Sequence, residues 1–187
     1  ETIYEPFILP KAATRILLLS DIHVPYHNID ALSAAIDFGI NNDVNTIILN
    51  GDTLDCYQLS RFQKDPRKRS FADEFESCRD LLRVFRKLLD GVHIYFKLGN
   101  HEERFQNYMK TRAPELLGNP EFELKNLLRS GELGITFIGD KRIIRAGKLN
   151  ILHGHEFGQS IFSPVNPARG YYNRAKANVI CGHNHQS

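Results

Sequence analysis

Short apolar runs alternate along the chain with stretches whose apolar positions recur every three or four residues. Ile16-Leu17-Leu18-Leu19 predicts a buried strand over Arg15 to Ser20, and Thr46 to Asn50 and Val92 to Leu98 predict two more. Between the first two, Asp30 to Asn41 puts Leu32, Ala35, Ile36 and Phe38 on or near one side of a helix. Phe71 to Asp90 reads as a longer amphipathic helix, with Phe75, Cys78, Leu81, Leu82, Phe85, Leu88 and Leu89 on its apolar side and Gly91 ending it. The order βαβαβ predicts a parallel sheet with helices on its faces; the pattern alone suggests a doubly wound sheet.

The second half has shorter periods. Glu102 to Lys110, Pro114 to Gly118 and Glu121 to Arg129 predict short helices, and Ile135 to Ile138, Arg142 to Arg145 and Leu149 to Leu152 predict short strands. A tight turn at Ala146-Gly147 joins the last two as a hairpin. Phe157 to Gly170 reads as loop, Tyr171 to Lys176 as a helical turn and Asn178 to Cys181 as a final strand. No internal repeat or composition shift divides the chain, so residues 1–187 are read as one α/β domain. The chain opens without Met and stops two residues after His185, so it reads as a fragment of a longer protein, truncated at its C-terminal side.

Composition narrows the class. With 24 basic and 22 acidic residues the net charge is +2, which argues against a dedicated nucleic-acid coat. Cys56, Cys78 and Cys181 form no CxxC pair, which excludes a thiolate zinc site or a disulfide framework as the leading reading and fits a reducing cytoplasm. The longest apolar runs are strand-sized, so no membrane span is expected.

Chemistry gathers where strands end. The first strand runs into Asp21-Ile22-His23, the second into Gly51-Asp52 with Asp55 beyond, and the third into Gly99-Asn100-His101-Glu102. The hairpin runs into His153-Gly154-His155 and the last strand into Gly182-His183-Asn184-His185. Ligands of open α/β sheets bind at the carboxyl ends of strands, so these clusters are expected to converge. Carboxylate, amide and imidazole donors together suit Mn, Fe or Zn. Two such ions roughly 3.5–4 Å apart need a bridging anion, which a carboxylate such as Asp52 can supply, and they acidify a bound water into a hydroxide nucleophile.

The ordered set DxH, GDxxD, GNHE, HGH and GHNH resembles the calcineurin-like metallophosphoesterases, over Asp21 to His185. The stretches Gly99 to Arg104 and Ser163 to Arg169 look like phage or prophage members, which places the protein in a bacterial or phage-infected cytoplasm. The resemblance implies a four-layer αββα sandwich of two facing sheets, the first three strands in one and the hairpin with the last strand mainly in the other. It implies Asp21, His23 and His185 on one metal, Asn100, His153 and His183 on a second, and Asp52 as the bridge. His101 matches the family's catalytic His, placed to protonate the leaving group or stabilise phosphoryl charge, and Asp55 is set to orient it.

Two departures matter. Asp52 is followed by Thr-Leu-Asp-Cys-Tyr rather than toward the Arg-Gly of protein Ser/Thr phosphatases, and Asp-Ile-His differs from the purple acid phosphatase pattern. Tyr57, Arg61, Arg104 and Arg169 are the candidate substrate contacts. The run Arg61 to Arg69, with Lys64, Arg67 and Lys68, suits a nucleic-acid backbone, although such a run is more often a solvated loop. His27, His93 and His155 carry no family role and read as surface or packing residues; His155 is the one competitor of His153 as a ligand. Cys181 reads as inert, and Phe71, Phe75 and Phe85 as core.

The expected reaction is therefore hydrolysis of a phosphate ester by in-line attack of metal-bound hydroxide, with Mn favoured and with a lean toward a phosphodiesterase or nuclease. The alternatives are a phosphomonoesterase acting on a protein or small molecule, and a metal-binding scaffold without catalysis. Retention of His101 and Asp52 counts against the scaffold.

Overall fold

Alternation along the apolar strands sets the layers. In Thr46–Asn50, Ile47 and Leu49 join one core cluster while Ile48 joins another; in His93–Lys97, Ile94 and Phe96 part from Tyr95 in the same way. Strands buried on both faces read as unbroken apolar runs, which is how parallel sheets appear in sequence. The computed structural model describes residues 5–61, 63–65, 67, 70–139, 141–157 and 166–185.

Among the described residues, eight strands make two four-stranded sheets. They are β1 (Phe7–Ile8), β2 (Ile16–Leu19), β3 (Thr46–Asn50), β4 (His93–Lys97), β5 (Ile135–Ile138), β6 (Ile144–Ala146), β7 (Leu149–Leu152) and β8 (Asn178–Cys181). One sheet has the order β2-β3-β4-β5 with every neighbouring pair parallel, and the other has β1-β6-β7-β8 with only β6 and β7 antiparallel. Leu9, Ile48, Tyr95, Ile138, Ile144 and Ile151 fill the space between the sheets.

Helices α1 (Ile29–Asn41), α2 (Phe71–Leu88) and α3 (Asn100–Arg112), with the short α4 (Leu124–Leu127), cover the outer face of the first sheet through the larger core cluster. Helix α5 (Pro167–Ala175) packs against β8 of the second sheet. The layering is αββα, as the resemblance implied. The doubly wound sheet suggested by the pattern alone is not found, because β6 to β8 pair with one another rather than extending the first sheet.

Local chemistry explains the helix starts. Asn28 caps α1 by accepting from Ala31 N at 2.9 Å, and Ser70 and Asp73 form a reciprocal capping box on α2. Helix α3 begins at Asn100, two residues before the apolar periodicity announced it, because Glu102 reaches back to the Gly99 N–H at 2.8 Å. Helix α5 begins at Pro167 rather than Tyr171: proline suits the first helical turn, and Asn166 accepts from Arg169 N at 3.0 Å. The predicted helix over Glu121 to Arg129 is a 3-10 turn, Pro120–Phe122, followed by α4. Strand β1 has no counterpart in the sequence reading; two residues leave no periodicity to see.

Candidate metal centre

Each ligand-type cluster sits just past the carboxyl end of a strand. Asp21 and His23 follow β2, Asp52 follows β3, Asn100 and His101 open α3 after β4, His153 follows β7, and His183 and His185 follow β8. Parallel pairing of β2 with β3, β3 with β4, and β7 with β8 brings those ends together. Among the described residues, three sets of side chains then have candidate ligand atoms within 4.8 Å of one another: Asp21, His23 and His185; His23, Asp52 and His101; and Asp52, His153 and His183. Asp52 and His23 each belong to two sets.

Backbone conformation reflects how tightly these loops turn. Asp21, His23, Asp52, His183 and His185 all have φ between 50° and 69°, the left-handed region that costs a non-glycine residue on the order of 1–3 kcal/mol. The surrounding contacts hold them there. Gly99 is needed for closeness: a Cβ there would stand 2.2 Å from Asp52 Oδ1.

Hydrogen bonds fix which imidazole nitrogen faces the centre. His153 Nδ1 lies 2.9 Å from the Asn50 carbonyl oxygen, so Nδ1 carries the proton and donates it. Its Nε2 lone pair then faces Asp52 Oδ2 at 3.2 Å and Asn100 Oδ1 at 3.1 Å. Three acceptors aimed at one place repel unless a cation or a proton lies among them. His23 repeats the arrangement: Nδ1 is 2.9 Å from Asp55 Oδ1, while Nε2 is buried without a hydrogen-bond partner among the described residues. The residues present fit divalent cations, through oxygen and imidazole donors of the kind Mn, Fe and Zn accept.

Electrostatics carry the same message. Burial alone would raise Asp52, but its hydrogen bond to His153 and the charge of His153 bring it down to about 2. Asp55 is likewise opposed by burial, yet His101 and His23 hold it well below the usual carboxylate range. Burial works against a proton on His23 and on His153, and the carboxylates beside them, Asp55 and Asp52, outweigh it and raise both. A proton thus takes the place among these acceptors that a cation would fill. His183 moves the other way, lowered by burial and then by His153.

His101 stands at the edge of the cluster. Its Nε2 is 3.6 Å from Asp52 Oδ2, and its ring lies edge-on to His23 with centroids 4.5 Å apart. Arg104 Nη2 donates to His101 Nε2 at 2.8 Å, so the proton is on Nδ1, which donates to the Asp55 carbonyl oxygen at 2.7 Å. The Asp55 carboxylate is 3.3 Å from that same Nδ1. One residue therefore touches both His101 and His23.

The family described as calcineurin-like phosphoesterase matches residues 14–187. The chain belongs to that family. It is a metallophosphoesterase, and membership implies metal-dependent hydrolysis of a phosphate ester. Two relatives are proteins called Gene 54 protein. The one from Mycobacterium phage L5 is 28% identical over 179 residues, covering 92% of this chain and 69% of its own length. The one from Mycobacterium phage D29 is 26% identical over 178 residues, with the same coverage of 92% and 69%. The metallophosphoesterase therefore resembles phage proteins, as the stretch from Gly99 to Arg104 suggested. No helix among the described residues is long and apolar enough to cross a membrane.

Other predicted site residues of this metallophosphoesterase have separate surroundings. His155 is turned away from the cluster, with Nε2 3.0 Å from Glu103 Oε1. Tyr57 OH accepts from Asp65 N at 2.7 Å, and its ring meets Tyr26 edge-on. Arg61 and Lys64 are exposed, and Arg67 pairs with Asp65 through two contacts of 3.0 and 2.9 Å. Arg169 is exposed in the first turn of α5. Lys68, Arg69 and Ser163 to Val165 lie outside the described residues.

Several supporting residues were missed by the sequence reading. Glu102 is fully buried and accepts from Asp52 N at 3.0 Å and Leu54 N at 2.8 Å as well as from Gly99 N. Glu156 accepts from the backbone N–H groups of His153 and Gly154 at 2.8 and 2.6 Å. Tyr171 OH donates to the Gly154 carbonyl at 3.0 Å and accepts from Asn184 Nδ2 at 2.8 Å, tying the β7 loop to the β8 loop. A signal existed for some of these: Lys97, ending an apolar strand, needed a buried partner such as Glu156.

Proposed function

We propose that this metallophosphoesterase uses two divalent cations, Mn being favoured, to hydrolyse a phosphate diester. Asp21, His23 and His185 would hold one cation, Asn100, His153 and His183 the other, and Asp52 both. The observation that carries the reading is that Asp52 shares one candidate ligand set with His153 and His183 and another with His23, which itself shares a set with Asp21 and His185; Asp52 Oδ2 stands 3.2 Å from His153 Nε2. What bound cations supply there is neutralisation of phosphoryl charge and a water acidic enough to attack near neutral pH.

The chain's own residues do the rest. His101, held by Asp55, presents Nε2 toward the cluster; once Arg104 leaves that nitrogen for the phosphate, Nε2 can take up a proton from water and pass it to the leaving oxygen. Arg104, already 2.8 Å from His101 Nε2, can transfer its guanidinium to a non-bridging phosphate oxygen when substrate arrives. Exposed Arg61, Lys64 and Arg67, just beyond Tyr57, favour a polyanionic substrate such as nucleic acid and hence the diester.

Hydrolysis of bis-p-nitrophenyl phosphate against p-nitrophenyl phosphate by Mn²⁺-loaded protein tests this. The expected result is metal-dependent turnover with the diester preferred. Preference for the monoester overturns the diester assignment, and no turnover of either by protein holding two cations overturns the catalytic one.

A further inference from the structure

Glu74 is an acidic side chain that the chemistry above does not use. It lies in the first turn of α2, is 0% exposed, and stands beside Cys56 and Cys78 of the larger core cluster. Burying a carboxylate there is costly unless it is well paired. Yet Glu74 Oε2 has no hydrogen-bond partner among the described residues, while Oε1 accepts from the backbone N–H of Cys56, and the Tyr57 N–H faces the same carboxylate. An incompletely satisfied buried acid calls for a reason.

The turn it binds supplies one. Cys56 has φ 50° and ψ 39°, a left-handed conformation that a residue with a Cβ adopts only when held. Asp55, directly before it, gives its carbonyl oxygen to His101 Nδ1 at 2.7 Å and to Arg104 Nη1 at 3.1 Å, and its carboxylate to His23 at 2.9 Å. The orientation of the Asp55 carbonyl depends on the peptide plane shared with Cys56, whose N–H points into Glu74. A rotation that freed that N–H would swing the carbonyl off His101.

We propose that Glu74 is a positioning residue for His101, acting through the peptide between Asp55 and Cys56. This deepens the catalytic reading above and rests on it for its effect on turnover. Glu74 grips the peptide's N–H from the core side, and His101 and Arg104 grip its carbonyl from the active-site side. Glu102 does the same for the preceding residues, Asp52 and Leu54, so two buried acids fasten the whole loop after β3. Burial pushes the Glu74 carboxyl up to about 7. The ionisable groups around it are Asp55, His101, Cys56 and Cys78. A neutral acid still presents a carbonyl oxygen to Cys56, so the grip survives protonation, and an amide can replace it.

The test compares Glu74→Met, which keeps the volume and removes the acceptor, with Glu74→Gln, which keeps it. Turnover is measured with Mn²⁺-loaded protein, at a temperature where circular dichroism of both variants matches the parent. Imidazole ¹⁵N NMR is measured on the full chain loaded with Zn²⁺, with His101 assigned from its absence in H101A. Glu74→Met is expected to lower kcat about 10–100-fold at unchanged KM and metal content, and to abolish the pure Nδ1–H form of His101. Glu74→Gln is expected to restore both. Parent-like kcat and an unchanged His101 spectrum in Glu74→Met would overturn the proposal, as would loss in Glu74→Gln equal to that in Glu74→Met. If the parent itself turns over no phosphate ester, the catalytic reading fails, and the NMR comparison still decides the role of Glu74.

Discussion

Lys97 Nζ lies 2.8 Å from Glu156 Oε1, with the two side chains 0% and 3% exposed. Burial would raise Glu156, but the charge and hydrogen bond of Lys97 hold it at about 2 instead of its ordinary 4.5. A depressed carboxylate contributes stability that is complete above about pH 4.5 and is lost as pH falls toward about 2. Lys97→Met leaves the acid buried without its cation, which costs roughly 3–5 kcal/mol. Chemical denaturation at pH 7 should show that loss, and the variant's stability should fall less between pH 4.5 and pH 2 than the parent's. Because Glu156 also accepts from the His153 N–H, cation affinity should weaken alongside.

His101→Ala separates chemistry from cation binding. The His101 backbone N–H that donates to Asp52 Oδ1 at 2.9 Å is retained in the variant, and on the ligand assignment proposed above no cation ligand is removed. Elemental analysis should return the parent's metal content, while kcat falls about 10²–10⁴-fold, the usual loss when a general acid goes. Unchanged turnover would remove His101 from the mechanism.

Much of this centre was legible because its donors fall where apolar runs stop. Asp21, Asp52, Asn100, His153 and His183 each follow a strand that the pattern of residues announced. The two-sheet arrangement was not readable from periodicity: Ile144 to Leu152 looks the same whether it extends one sheet or founds a second. That step came from family resemblance. The supports were hidden for another reason. Glu74 sits on a helix as an ordinary first-turn acid, and only packing reveals that it faces inward under Cys56. Tyr171 fell in a stretch read as a simple helical turn, and its bonds to Gly154 and Asn184 depend on how α5 lies on β8.

Cation binding should compete with protons. In the metal-free protein His23 and His153 are raised above 6.5, since Asp55 and Asp52 outweigh burial. Their protonated forms stabilise the fold fully below that ordinary value, and the contribution is lost as pH rises through the raised ones. On the ligand assignment proposed above, each of the two cations needs one of these rings neutral, so cation affinity should fall as pH drops, beginning above 6.5. Titration calorimetry with Mn²⁺ from pH 8 to pH 6 should show weaker binding and more protons released at the lower pH. Thermal melts with and without chelator should differ most at the alkaline end, where the metal-free centre has lost its protons; a difference that grows toward acid would contradict this.

The last question is which histidine of His153-Gly154-His155 serves the cations. Their rings are neighbours, with centroids 5.3 Å apart, so proximity alone does not choose. Partners do. His153 Nε2 looks at Asp52 and Asn100 with its other nitrogen fixed by Asn50, whereas His155 Nε2 is engaged by Glu103 3.0 Å away. Lys141 Nζ, 3.7 Å from the other Glu103 oxygen, completes an ion-pair cluster apart from the ligand sets. His155→Ala should therefore keep the parent's metal stoichiometry and lose stability by about 1–3 kcal/mol as Glu103 Oε1 loses its imidazole partner. His153→Ala should weaken binding of one of two cations, seen as a stoichiometry near one in calorimetry. If His155→Ala sheds a cation and His153→Ala does not, His155 is the ligand and the hydrogen bond from His153 to Asn50 has only a structural purpose.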